Sequence, residues 1–250
     1  LQKIAFIVSY DGTNYYGFQR QSELPTIQSE LERALSEIAQ EPIAVVGSGR
    51  TDAGVHAYGQ VVHFQTRLKI PAEKWPLAIK NYLPEDIVVR AAYQVKSQFH
   101  ARYDAVGKIY QYRIDRGLVP NVFQRRYAYH VPYPIDLNLI GQAIPYLEGT
   151  HDFTAFCASG SAVENHVRTI YRIGMREEEE QLLFTFHGNG FLYNMVRIMV
   201  GTLIAVGNGK IPAEEIPRIL ASKDRNLAGP TAPAHGLTLM KVEYPMSIFA

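Results

Sequence analysis

The 250 residues contain a single cysteine, Cys157. One thiol can close no intrachain disulfide and can build no thiolate zinc cluster, and it suits a reducing compartment, so a cytoplasmic protein is expected. No stretch approaches 18 apolar residues without a charged or polar break, which excludes a helical membrane span. Leu1 to Tyr10 lacks the basic start and long apolar centre of a secretory leader. An excess of charge of one sign is missing too. Lys and Arg number 25 against 24 Asp and Glu, a net +1, so any nucleic-acid footprint must be local. Glycine and proline, 19 and 14, are too few for collagen-like or low-complexity chains, and 47% hydrophobic with 20% charged residues marks a globular protein.

Tyrosine is what the sequence has in quantity: 16, against 11 phenylalanines and one tryptophan. Tyrosine serves wet surfaces on which flat groups stack, although half-buried strand positions also use it. The order of elements is more telling. Ile4, Phe6, Val8 and Tyr10 alternate as in a half-buried strand. Thr26 caps a helix striped with Ile27, Leu31, Ala34, Leu35 and Ile38. Strands are expected over Ile43 to Gly47 and Gly59 to Thr66, a helix from Pro71 to Tyr82, and a strand from Ile87 to Val95. The second half repeats the order. It has a strand from Lys108 to Asp115, a helix capped by Asp136, and strands Val167 to Met175 and Leu182 to Phe186 joined at the acidic tip Glu177 to Glu180. A strongly apolar helix, Phe191 to Val206, and a last strand, Leu237 to Tyr244, follow. Each half reads β-α-β-β-α-β, the ferredoxin-like (RRM-like) pattern of an antiparallel sheet with helices on one face. The expectation is an α+β protein with domains 1–104 and 105–250, the two sheets joined into one long platform.

Three segments carry chemistry. The first is the loop from Gly47 to Ala57, with Arg50, Asp52 and His56 among three glycines. It fits neither a Walker A loop nor a dinucleotide fingerprint. A plain hairpin turn with Asp52 bonded to its own backbone would explain the glycines, but not two charges and a histidine together. The second is the helix around Arg197, the only charge from Gly188 to Gly209. A buried guanidinium needs a carboxylate, an anion or backbone carbonyls, unless it snorkels to the surface; Asp52 is a natural partner. The third is Gln98 to Arg126, where Arg102, Lys108, Arg113, Arg116, Arg125 and Arg126 face only Asp104 and Asp115, a local +4, with Phe99, Tyr103, Tyr110, Tyr112 and Phe123 interleaved. Such mixing suits a nucleic-acid groove and also an ordinary strand with snorkelling basic side chains. His56, His63, His100, His151, His166, His187 and His235 have no metal spacing, and Cys157 reads as a small buried residue.

These residues resemble the tRNA pseudouridine synthase A family. Arg50-Thr51-Asp52-Ala53-Gly54-Val55-His56-Ala57 is similar to its signature. Tyr10-Asp11-Gly12 with Gly17-Phe18-Gln19, Phe99-His100-Ala101-Arg102 with Lys108 to Arg113, Asn189 to Arg197, and Ala232 to Leu237 resemble its other blocks, in order along nearly the whole chain. The resemblance implies two ferredoxin-like domains with the active site in the cleft between them. It implies a homodimer and an isomerase that uses no cofactor and no metal. The substrate would be uridine at positions 38, 39 and 40 of the tRNA anticodon stem-loop. Asp52 falls on the catalytic nucleophile, Tyr110 on the tyrosine against the target base, and Arg197 on the basic partner of the aspartate. Arg50 falls on the arginine that replaces the displaced base, and Leu237 on a substrate contact. RNA contacts are expected at Arg102, Lys108, Arg125 and Arg126. Two other readings stay open on the residues alone. A silent RNA-binding module would leave Asp52 and Arg197 without a purpose. An aspartate-based hydrolase would want a second carboxylate or a metal cluster near Asp52.

Overall fold

The computed structural model describes residues 1–160 and 163–245. In chain order the elements are β1 (Gln2–Tyr10), α1 (Ile27–Ala39), β2 (Val46–Gly47), β3 (His56–Thr66), α2 (Trp75–Ile79), β4 (Ile87–Val95), β5 (Gly107–Asp115), β6 (Tyr129–His130), α3 (Leu137–Leu147), β7 (Gly149–Asp152), β8 (Val167–Glu178), β9 (Gln181–Gly188), α4 (Met195–Gly207), α5 (Ile216–Ser222) and β10 (Leu237–Glu243). The class is α+β, with predominantly antiparallel strands. The chain divides into two compact units, Leu1–Gly107 with Thr238 onward, and Lys108–Leu237.

In the first unit β1 is the central strand. It pairs antiparallel with β3 from Gln2↔Thr66 to Val8↔Gln60 and with β4 from Lys3↔Val95 to Tyr10↔Ile87. Ile4, Phe6 and Val8 point to the helix side, where Phe64 meets Phe6 and Trp75 edge-on at centroid distances of 4.8 and 5.4 Å and Phe6 meets Trp75 tilted at 5.6 Å. α1 buries Ile27, Leu31, Ala34 and Leu35. Thr26 accepts from the Ser29 amide, and Ser29 returns the bond to the Thr26 amide, a reciprocal cap. The stretch expected as one helix over 71–82 is a five-residue α-turn between two 3₁₀ turns, Ala72–Lys74 and Lys80–Tyr82. The strand expected over 43–47 shrinks to Val46–Gly47, while β3 starts at His56 rather than Gly59. The functional loop is therefore shorter than its sequence suggests, and its last residues already belong to the sheet.

Order alone places β10 in the second half, but from Thr238 it belongs to the first unit. It lies parallel to β3, with Thr238 opposite His56 and Leu239 opposite Ala57. The Glu243 carbonyl accepts from the Val106 amide, and the Tyr244 hydroxyl donates to the Ala101 carbonyl.

In the second unit β9 lies between β5 and β8, and β7 pairs with β8, all antiparallel. β7 was not foreseen, because Gly-Thr-His-Asp offers no apolar alternation. The acidic run is the β8–β9 turn as expected, with Glu179 at φ 51°. α3 is capped by Asp136, whose carboxylate accepts from the amides of Asn138 and Leu139. α4 buries twelve of its thirteen residues, as an all-round apolar helix must. It begins at Met195, four residues later than expected. Asn194 sits at φ 58°, a left-handed conformation that no α-helix interior accommodates, so Tyr193 and Asn194 form a turn closed by the Met195 amide on the Leu192 carbonyl. Cys157 is buried.

Candidate active site

The Asp52 loop is built into the first unit by hydrogen bonds on both flanks. The Tyr10 hydroxyl and Thr51 Oγ1 are 2.8 Å apart in the interior, and burial pushes the Tyr10 phenol up to about 12, so it stays neutral. Ser48 Oγ donates to Gln60 Oε1 at 2.6 Å, and Gln60 Nε2 donates to the Gly49 carbonyl at 3.1 Å. The residues between these anchors divide by exposure: Thr51 is buried, Asp52 half-buried and Arg50 exposed.

A second loop, Asp11 to Phe18, braces the first. The Phe18 amide donates to the Thr51 carbonyl at 3.1 Å, and the Gly54 amide donates to the Tyr15 carbonyl at 3.2 Å. Two glycines make this approach possible. A Cβ on Gly12 would stand 2.0 Å from the Val55 carbonyl oxygen. One on Gly17, at φ +88°, would stand 2.5 Å from that of Thr51. His56 is buried at the loop's exit, where Nδ1 accepts from the Gly12 amide at 3.0 Å and lies 3.1 Å from Asp11 Oδ1. The buttress of Tyr10, Gln60 and the two glycines was not singled out as such from sequence. Its only trace there was the short Tyr10-Asp11-Gly12 and Gly17-Phe18-Gln19 blocks.

In the second unit Tyr110 and Tyr112 lie on the same, buried side of β5. The Tyr110 ring meets Phe191 edge-on at 5.1 Å. Tyr112 donates its hydroxyl to the Pro233 carbonyl at 2.7 Å, and burial pushes its phenol far above the usual tyrosine range, opposed by the nearby Arg197 charge. Arg197 is half-buried rather than enclosed. Its Nε donates to the Ala232 carbonyl at 2.8 Å and its Nη1 to Asn194 Oδ1 at 2.7 Å; the Ala232 amide bonds back to the Arg197 carbonyl. The guanidinium is thus oriented by the Ala232 carbonyl and the Asn194 side chain, and a backbone carbonyl is one of the partners the sequence left open. Leu237 is buried at the end of that segment.

The family model described as tRNA pseudouridine synthase matches residues 6–104 and 143–245. The chain belongs to that family. It is therefore an isomerase. Curated relatives named tRNA pseudouridine synthase A include those of Anoxybacillus flavithermus, 51% identical over 98% of this chain and 99% of the relative, and of Shouchella clausii, 51% identical over 100% and 96%. Among solved structures, a chain of the archaeal box H/ACA sRNP Nop10-Cbf5 complex aligns at 11% identity with a TM-score of 0.39, over 91% of this chain and 60% of that one.

For a pseudouridine synthase the basic segment is distributed unevenly. Phe99 and Ala101 are buried, and the segment is fastened to the first unit's sheet. Lys3 Nζ donates to the Phe99 carbonyl at 2.9 Å, and the Ala101 amide donates to His63 Nδ1 at 3.1 Å. That leaves Arg102 and Tyr103 exposed. Lys108 is half-buried on β5, whereas Arg125 and Arg126 sit on an exposed loop beyond the far end of that strand. The Arg90 guanidinium stacks 3.7 Å above the exposed Tyr58 ring, a pair no sequence pattern announced because the two positions are 32 residues apart. Among the described residues no group of three His, Cys, Asp or Glu side chains could hold a metal. A cavity of about 500 Å³ in the second unit, beside Asp152 and Lys223, contains none of the expected site residues.

Proposed function

We propose that this enzyme converts uridine to pseudouridine at positions 38, 39 and 40 of the tRNA anticodon stem-loop, that Asp52 is its nucleophile, and that it works in the cytoplasm as a homodimer. The observation that supports this most is the braced loop. It presents one half-buried carboxylate, with an exposed arginine two residues before it, on a frame of buried hydrogen bonds. Reacting groups must be held to within fractions of an ångström, and a loop with this many backbone anchors can do so.

The reaction is redox-neutral. The N1–C1′ bond breaks, a C5–C1′ bond forms, and the C5 proton is lost while N1 ends with one. An ionised carboxylate can attack the sugar or the base, or take a proton from the sugar, and later be released. Arg197, oriented by Asn194 and Ala232, is the cation that the family resemblance assigns to the aspartate, and a guanidinium beside a carboxylate favours its ionised form. The detached uracil needs a flat surface while it turns, and the Tyr110 ring, itself steadied by Phe191, supplies it. C1′ is inaccessible in a stacked stem, so the nucleotide flips at a cost of a few kcal/mol. Arg50 fills the vacated space, and a planar guanidinium can stack and hold phosphate at once. Leu237 adds an apolar contact to the base, and Arg102 and Lys108 contact phosphates.

The test uses unmodified tRNA tritiated at uridine C5. Wild type releases tritium; Asp52→Asn keeps the shape and the tRNA affinity but releases none. Substantial release by the asparagine variant would remove Asp52 from the mechanism. Tight binding without release by wild type would leave only an RNA-binding role. Tyr110→Phe should lose turnover while binding tRNA as before, and Tyr110→Ala should also bind more weakly, because stacking contributes about 1–3 kcal/mol per base. Wild-type turnover by the phenylalanine variant would show that the hydroxyl has no chemical part.

A further inference from the structure

One carboxylate in the first unit is buried without being needed for the core. Glu32 is 8% exposed, on the side of α1 that also buries Ile27, Leu31, Ala34 and Leu35. Acidic side chains are rarely buried unless paired, and taking one out of water carries a cost that an apolar side chain there would avoid. The apolar stripe already holds α1 to the sheet, so the acid serves something else. Its partners indicate what. Oε1 accepts from the Val45 amide at 3.0 Å and from Gln28 Nε2 at 3.1 Å, and Oε2 lies 2.7 Å from Arg20 Nη2.

These partners lie on the two segments that enclose the Asp52 loop. Gln28 Nε2 also donates to the Val45 carbonyl at 3.0 Å, so α1 grips both polar atoms of the Val45 backbone. Two residues on, Gly47 lies flat against the Phe18 ring, where a Cβ would stand 2.4 Å from a ring carbon, and Ser48 opens the loop. On the other side the Arg20 amide donates to Gln28 Oε1 at 2.9 Å, and the Gln28 amide donates to the Phe18 carbonyl at 2.9 Å. The Phe18 amide in turn holds the Thr51 carbonyl next to Asp52. Glu32 thus ties down the chain three residues before Ser48 and, through Arg20, two residues beyond Phe18. The Arg20 side chain is 60% exposed, so burial does not hold it, and the carboxylate does.

We propose that Glu32 is a positioning residue for the reaction: by fastening Val45 and Arg20 to α1 it sets where Phe18 holds the Asp52 loop. The role rests on the reading of Asp52 as nucleophile.

Steady-state tritium release from C5-labelled tRNA, read as kcat and KM beside urea unfolding of the same proteins, tests it. Glu32→Gln keeps Oε1 for Val45 and Gln28 and gives up the charge that holds Arg20. It should fold, lower kcat by about tenfold and leave KM as in wild type. Arg20→Gln opens the same pair from its exposed end and should lower kcat alike. The double variant should be no slower than either single one, because one interaction is lost once. Glu32→Ala removes both ties and should lower kcat by about a hundredfold; if that chain does not fold, the glutamine variants decide. Arg33→Gln breaks exposed pairs with Glu30 and Glu37 on the same helix and should keep the wild-type kcat. Glutamine variants that unfold at lower urea yet turn over like wild type, or losses confined to KM, would overturn the proposal. Beside an inactive Asp52→Asn, such results would leave the nucleophile reading standing. Turnover by Asp52→Asn would remove that reading and this role with it.

Discussion

Gly17 shows how one residue can govern chemistry it never touches. Its φ of +88° and the 2.5 Å between an added Cβ and the Thr51 carbonyl mean that alanine fits only if the Asp52 loop moves. Gly17→Ala should cost about 1–3 kcal/mol of stability through backbone strain. It should also lower kcat by about tenfold or more, because small misplacements of a reacting group are expensive. The affinity for tRNA should change little. Stopped-flow turnover beside chemical denaturation separates the effects, and a destabilised variant with wild-type kcat would show that the brace does not position Asp52. At this scale the sequence was legible in part. Asp52, Tyr110 and Arg197 stood out through their residue types and the family resemblance. The Ala232 carbonyl that holds Arg197 did not, since a backbone carbonyl carries no sequence signal.

Among the elements, α1 and α3 were readable because their caps and stripes are local, and so were β1, β4 and the β8–β9 hairpin. The start of α4, the shortness of β2 and the side taken by β10 were not, for each depends on a partner distant in sequence or on one left-handed residue. The segment 98–104 is of that kind, since it is fastened to the sheet through His63. Burial, with help from Lys3 and His100 and against Asp104, pushes this imidazole down to about 4, and its neutral Nδ1 accepts from the Ala101 amide. The unfolded chain takes up its proton near pH 6.5 and the folded chain only near 4. Stability from this site is therefore complete above about pH 6.5 and is lost as pH falls from there to about 4, by roughly 2–3 kcal/mol. His63→Gln keeps an acceptor for Ala101 without the titration, so its urea midpoint should vary less across that range. Asp152, held down to about 2 by its Lys223 partner, acts only in more acid solution and does not mask the effect. Parallel pH profiles for wild type and variant would rule out His63 as the titrating group.

For the whole molecule, a net charge of +1 leaves little long-range attraction for a polyanion, so affinity for tRNA must come from local contacts. Each phosphate neutralised releases condensed counterions, which makes log K fall with log salt by about 0.7–0.9 per contact. Arg102 is exposed on the first unit and Lys108 half-buried on the second, and both are assigned to phosphates. Arg102→Gln and Lys108→Gln should therefore each flatten the slope by about that amount, and the double variant by about twice as much, because independent contacts add. Arg67→Gln provides the comparison, since that exposed arginine is already paired with Glu41 and should leave the slope as it is. Filter binding between about 50 and 200 mM salt reads these slopes directly. If all three variants flatten the slope equally, the protein holds tRNA by diffuse attraction, and no special role attaches to the segment leading from Phe99 into β5. If Arg102 and Lys108 leave it unchanged while Arg67 does not, the phosphate track runs over a different part of the surface.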